Sequence, residues 1–110
     1  MPELDANELA AQMHVAADRI LNDKHAEAHI YAHGAFRTLA DVLVQIYLKQ
    51  TSGKLTPGHA RIMLRIGKNT ALSVLLAVKG LPAQIAESAI RAALDAVREQ
   101  VNSALGWRLL

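Results

Sequence analysis

A chain of 110 residues without cysteine is long enough to form one hydrophobic core and has no thiols for disulfides, redox switching or nucleophilic chemistry. Apolar residues make up 52% of it, yet only Tyr31, Phe36, Tyr47 and Trp107 are aromatic, so the core must be built from Ala, Leu, Ile and Val on helices that approach closely. Residues 1–50 carry seven acids and four bases and residues 51–110 three acids and eight bases, a split of −3 and +5 inside a net +2; this suits an anionic partner, or pairing between opposite ends of two copies.

The opening MPELDANELAAQ is acidic and polar, unlike the basic head and apolar run of a secretory leader. A cytoplasmic chain is expected. A first helix is expected over residues 5–21, started by Pro2 with Asp5 or Asn7, because Leu9, Met13, Ala16, Ala17 and Ile20 recur at the spacing of one helical face. Asn22 and Asp23 offer a break and a new N-cap, since their side chains accept hydrogen bonds from the free amides of a following turn.

The second helix is expected over residues 24–50, with a bend near Gly34, where the missing side chain costs a helix about 1 kcal/mol relative to Ala. The stretch from Thr51 to Gly58, TSGKLTPG, reads as a loop that ends in an N-cap, Thr56, and a first helical residue, Pro57, whose absent amide hydrogen would be unpaired there anyway. A third helix follows over residues 57–79, Gly80 stops it, Pro82 opens a fourth over residues 82–105, and Gly106 closes that one. No strand alternation, hairpin signal, internal repeat or low-complexity segment interrupts this pattern.

Four helices on short connections predict an all-α antiparallel four-helix bundle in a single domain. On the second helix Glu27, Gly34, Arg37, Asp41, Gln45 and Lys49 form one polar stripe, and much of the remaining circumference of its C-terminal half is apolar: Val42, Leu43, Val44, Ile46, Tyr47 and Leu48. The third helix repeats this with Leu72, Leu75 and Leu76. A helix that is apolar nearly all round needs cover on nearly all sides, so a homo-oligomer is expected, a two-fold homodimer being the commonest form, with those nine residues in the contact. Residues 42–48 and 71–78 are too short for the roughly 20 residues that cross a bilayer, so no membrane span is expected.

Three further patterns carry candidate chemistry. HAEAHIYAH places His25, His29 and His33 four residues apart, a spacing that stacks imidazoles on one helix face and lets a pair chelate a metal, or a bundle interior hold a haem, when facing helices add ligands. His14 and His59 are the other imidazoles. The Glu-x-x-His and His-Glu-x-x-His patterns of di-iron bundles and zinc proteases are absent, because Ile30 and Ala26 stand at the deciding positions. The histidines are thus expected to be mainly structural, and no cofactor is assigned. Closely spaced imidazoles also resist simultaneous protonation, the basis for a pH sensor.

Arg61, Arg65 and Lys68 recur at i, i+4 and i+7, a stripe that can bridge the phosphates of a nucleic acid with weak, salt-sensitive affinity unless an oligomer repeats it. The tetrapeptide Gly67-Lys68-Asn69-Thr70 is compatible with the turn of a helix-turn-helix, but the segment after it is too apolar to read bases. Ser52, Ser73, Ser88 and Ser103 lack the strained elbow and the Asp/His pattern of an activated nucleophile, and no catalytic activity is expected. The sequence therefore favours a non-catalytic, homo-oligomeric interaction, adaptor or regulatory module; the alternatives are a small nucleic-acid-binding protein and a metal- or haem-binding bundle.

Overall fold

A computed structural model of the chain describes residues 4–21 and 26–110, with residue 26 described by its backbone alone. Four helices follow in order: α1 Ala6–Leu21, α2 Ala26–Thr51, α3 Pro57–Leu76 and α4 Ala83–Leu105. There is no strand among the described residues. The body measures 44 × 23 × 18 Å, an elongated bundle whose long axis follows the helices. None of the helices is long and apolar enough to cross a membrane.

The helix ends are set by the residues expected to set them. Asp5 caps α1, its Oδ1 accepting from the amides of Asn7 at 2.8 Å and Glu8 at 3.2 Å. Thr56 caps α3 by accepting from the His59 amide at 3.2 Å, with Pro57 in the first turn. Gly106 ends α4 at φ 80°, in the left-handed region where a Cβ is costly, and returns its amide to the Asn102 carbonyl. The proposed break at Asn22 and Asp23 lies outside the described residues. α2 continues as one helix through Gly34, which stands exposed on the polar stripe with open space where a Cβ would be.

α3 stops at Leu76, short of the expected residue 79. The Ala77 amide bonds back to Ser73 and Val74 and the Val78 amide to Leu75, a tightened last turn, and the Leu81 amide then closes a second turn on Val78. This reversal buries Val78 and Leu81, so the last apolar residues of the run serve the turn instead of lengthening the helix. The helix also runs unbroken through residues 67–70, and no helix-turn-helix exists there.

The core is dominated by small and aliphatic side chains. Ala17, Ala28, Ala32, Ala35, Ala40, Ala60, Ala71, Ala86, Ala89 and Ala93 are buried alongside Leu9, Met13, Leu39, Leu43, Ile46, Leu75, Val97 and Val101, with Phe36 as the one large ring fully inside among the described residues. No charged or polar side chain is buried among those residues. Alanine at the contact lets helix axes come close, and α2 meets α3 most tightly at Gly67, where an added Cβ would lie 3.1 Å from a methyl of Val42.

The apolar belt of α2 is covered largely from within the chain. α2 packs against α1, α3 and α4, so its wide apolar arc is covered by three neighbours of its own chain. Leu43, Ile46, Tyr47 and Leu75 are interior, Val42, Val44 and Leu72 are half-buried, and only Leu48 and Leu76 are exposed. A central helix of a lone bundle is thus covered on more than one face. Val42, Val44, Leu48, Leu72 and Leu76 keep surface that a contact between copies can use.

Candidate functional site

Three sides of the bundle are closed by extensive packing: α1 with α4, α1 with α2, and α2 with α3. The fourth side, α3 with α4, is sparsely packed and holds a cleft of about 400 Å³. Leu64 and Leu72 from α3, Ile90 and Leu94 from α4, and Leu109 and Leu110 from the tail give it an apolar lining; Lys68, Asn69, Glu87, Arg91, Asp95 and Arg98 give it a charged rim. Arg98 and Asp95 pair one turn apart on α4, and among the described residues no other ion pair forms on that rim.

The tail is held in the cleft by side-chain amides. Asn102 Oδ1 accepts from the amides of Leu109 and Leu110, both at 3.0 Å, while its Nδ2 donates to the Leu110 carbonyl at 3.3 Å. Gln50 at the end of α2 accepts from the Trp107 indole at 2.5 Å and donates to the Leu105 carbonyl at 2.7 Å. Leu109 is buried as a result. The sequence shows a short tail after Gly106; that one asparagine folds it back is a matter of geometry eight residues apart in the chain.

The basic stripe is where its spacing put it. Arg61, Arg65 and Lys68 are all exposed on α3, on the flank that borders the cleft, and Lys68 belongs to its rim. Arg61 lies 5.6 Å from the centre of the Trp107 ring, a cation–π contact that holds one of the three cations against the tail. No carboxylate pairs with any of the three among the described residues.

At the α1–α2 contact the imidazoles find a partner set that the linear spacing did not indicate. His25 lies outside the described residues, His33 is exposed and His29 is half-buried. His29 reaches across to α1, where its Nδ1 sits 2.7 Å from Asp18 Oδ1. His14, one turn before Asp18, places Nε2 3.4 Å from the same oxygen. The His14 ring stands edge-on to His33 at 5.2 Å and to Phe36 at 6.3 Å, and tilted to His29 at 6.4 Å. The sequence signal for this cluster is the i, i+4 pair His14 and Asp18, beside Met13 and Ala17 on the buried face of α1. His59, in the first turn of α3, is exposed and outside the cluster.

No family model, curated protein or solved structure matches this chain. The functional reading therefore rests on the cleft, the basic flank and the imidazole cluster alone.

Proposed function

We propose that this chain is a non-catalytic interaction module that works as a two-fold homodimer in the cytoplasm, with the α3–α4 cleft as its contact surface. The cleft carries the proposal: an apolar trough left open on one side of an otherwise closed bundle costs free energy in water, at about 25 cal/mol for each Å² of apolar surface left exposed. A second copy is the occupant that fits its rim. Lys68 and Arg91 stand on the same rim as Glu87, so a two-fold axis across the cleft brings the cations of one copy to the acid of the other, in both directions. Size agrees as well. A stable interface takes about 800 Å² from each partner, roughly one-eighth of the chain's 6407 Å², and a long flank of a body 44 × 23 × 18 Å offers that much. The absence of cysteine suits a reducing compartment.

Substitution at the cleft floor tests this. Leu72→Glu places a carboxylate in the trough and is expected to convert the dimer to a folded monomer, whereas Ile66→Glu, on the outer face of α3 away from the cleft lining, is expected to leave the dimer intact. A dimer that survives Leu72→Glu, or is lost with Ile66→Glu alone, places the contact elsewhere.

A second reading is favoured by one observation, the exposed cations Arg61, Arg65 and Lys68 on one flank, which pair with no carboxylate among the described residues. On that reading the module binds nucleic acid through phosphates, and a symmetric dimer doubles the surface. Binding to a DNA or RNA pool that falls steeply with salt and weakens with Arg65→Gln supports it; binding that is absent at low salt removes it.

A further inference from the structure

The most unusual chemistry on the surface lies away from the cleft, where α1 and α2 cross. His14 and Asp18 sit one turn apart on α1 and His29 reaches them from α2, so that one ligand atom from each falls within 4.8 Å of the others. All three side chains are partly open to water, at 24% exposure for His14, 42% for Asp18 and 29% for His29. An ion can enter without unfolding the bundle.

Among the described residues, His14 is the one left with a buried, unpartnered side-chain nitrogen. Its Nδ1 is buried without a hydrogen-bond partner, and its Nε2 is 3.4 Å from Asp18 Oδ1, beyond the usual 2.7–3.2 Å for a nitrogen–oxygen hydrogen bond. A neutral imidazole has one donor and one acceptor, and buried polar groups are nearly always paired. Here the ring is pinned between His33 and Phe36 with neither nitrogen in a good hydrogen bond. Phe36 is fully buried in the core, which fixes the ring's place against the bundle.

We propose that His14, Asp18 and His29 form a binding site for a divalent transition metal ion of the zinc type. Two imidazole nitrogens, borderline donors, beside one carboxylate oxygen suit zinc, cobalt, nickel or copper, and do not suit calcium or magnesium, which require shells of oxygen. The spacing agrees with a tetrahedral shell. Ligand bonds of 2.0–2.1 Å set neighbouring ligand atoms about 3.3 Å apart, close to the 3.4 Å between His14 Nε2 and Asp18 Oδ1. The 2.7 Å contact from His29 Nδ1 is a hydrogen bond that the ion replaces: the neutral ring changes tautomer, its proton passing from Nδ1 to Nε2 by exchange with water, the freed Nδ1 lone pair turns to the metal, and the two atoms separate by roughly 0.6 Å to reach the tetrahedral spacing. Three protein ligands leave a fourth position for water or a group from outside, the arrangement of open metal sites. The ion would also tie α1 to α2 across their contact, because the ligands come from both helices.

This site differs from a ladder of His25, His29 and His33 in its source of charge. Asp18 supplies the carboxylate that a cluster of neutral imidazoles on α2 lacks, and it comes from a helix that the α2 spacing alone does not bring into view.

The test uses the full chain, purified without a histidine tag and stripped of metal. Titration with cobalt(II) is expected to give the visible absorption of a four-coordinate ion at one equivalent, and zinc is expected to displace the colour and raise the melting temperature. His14→Gln, Asp18→Asn and His29→Gln are each expected to weaken binding at least about tenfold, since loss of a ligand costs no less than loss of the residues that support one, while His59→Gln leaves it unchanged. Asp18→Asn conserves shape at a part-exposed position, so it reports on the ligand even if His14→Gln perturbs the fold. Absence of both spectral change and thermal shift up to about 1 mM metal, the range of very weak binding, overturns the proposal; so does one-equivalent binding that none of the three substitutions weakens.

Discussion

Two glycines show how one residue type takes opposite roles within the same bundle. Gly34 faces water on α2 with open space around its Cα, and nothing about its surroundings requires it. Gly34→Ala is expected to raise stability by up to about 1 kcal/mol, the helix-propensity difference, read as a higher urea midpoint with an unchanged slope. Gly67 faces Val42, whose Cβ and both methyls would lie 3.1–3.3 Å from an added Cβ. Valine on a helix is locked to one rotamer, and turning it only exchanges one methyl for the other, so relief requires the two helices to part. Overpacking of that kind costs about 1–3 kcal/mol against the propensity gain of about 1. Gly67→Ala is therefore expected to lower stability, by about 1 kcal/mol net, in the same urea experiment. If both substitutions stabilise, the close approach of α2 and α3 is not as described. Asn102 matters at the same scale: it makes three hydrogen bonds to the tail, and Asn102→Ala is expected to cost about 1–3 kcal/mol and to free Leu109 from the cleft, seen as faster amide exchange at residues 109 and 110.

Among the elements, caps and turns were the most legible part of the sequence, because each rests on local chemistry. Asp5, Thr56 with Pro57, and Gly106 act where side-chain oxygens, a missing amide and a left-handed residue are needed. Thr56→Ala is expected to lower stability by about 1 kcal/mol through the lost bond to the His59 amide, with urea unfolding as the check. The end of α3 was less legible. Val78 and Leu81 continue an apolar pattern, but their burial is satisfied by a tight reversal, a choice that depends on where α4 lies. The apolar belt was legible as composition and not as surface. A helical wheel shows that Leu43, Ile46 and Tyr47 need cover, yet whether that cover comes from α1, α3 and α4 or from another molecule is decided by packing between elements distant in sequence. The imidazole cluster follows the same logic, since His29 finds its carboxylate eleven residues away, across a helix–helix contact.

At the scale of the molecule, the bundle is closed on three sides and open on the fourth. α2 lies against every other helix, so its own chain covers much of its apolar arc, while the α3–α4 contact is sparse. That side gathers the apolar cleft, the tail clamped by Asn102 and Gln50, and the cations of α3 on its border. The metal site at the α1–α2 contact belongs to a different face, so occupancy there and association through the cleft are separable by measurement. The most direct measurement is sedimentation of the purified chain across a wide range of concentration. A species of about 24 kDa, twice the 11.9 kDa chain, is expected, and Leu72→Glu is expected to reduce it to a folded monomer; a single 11.9 kDa species at every concentration contradicts the proposed dimer.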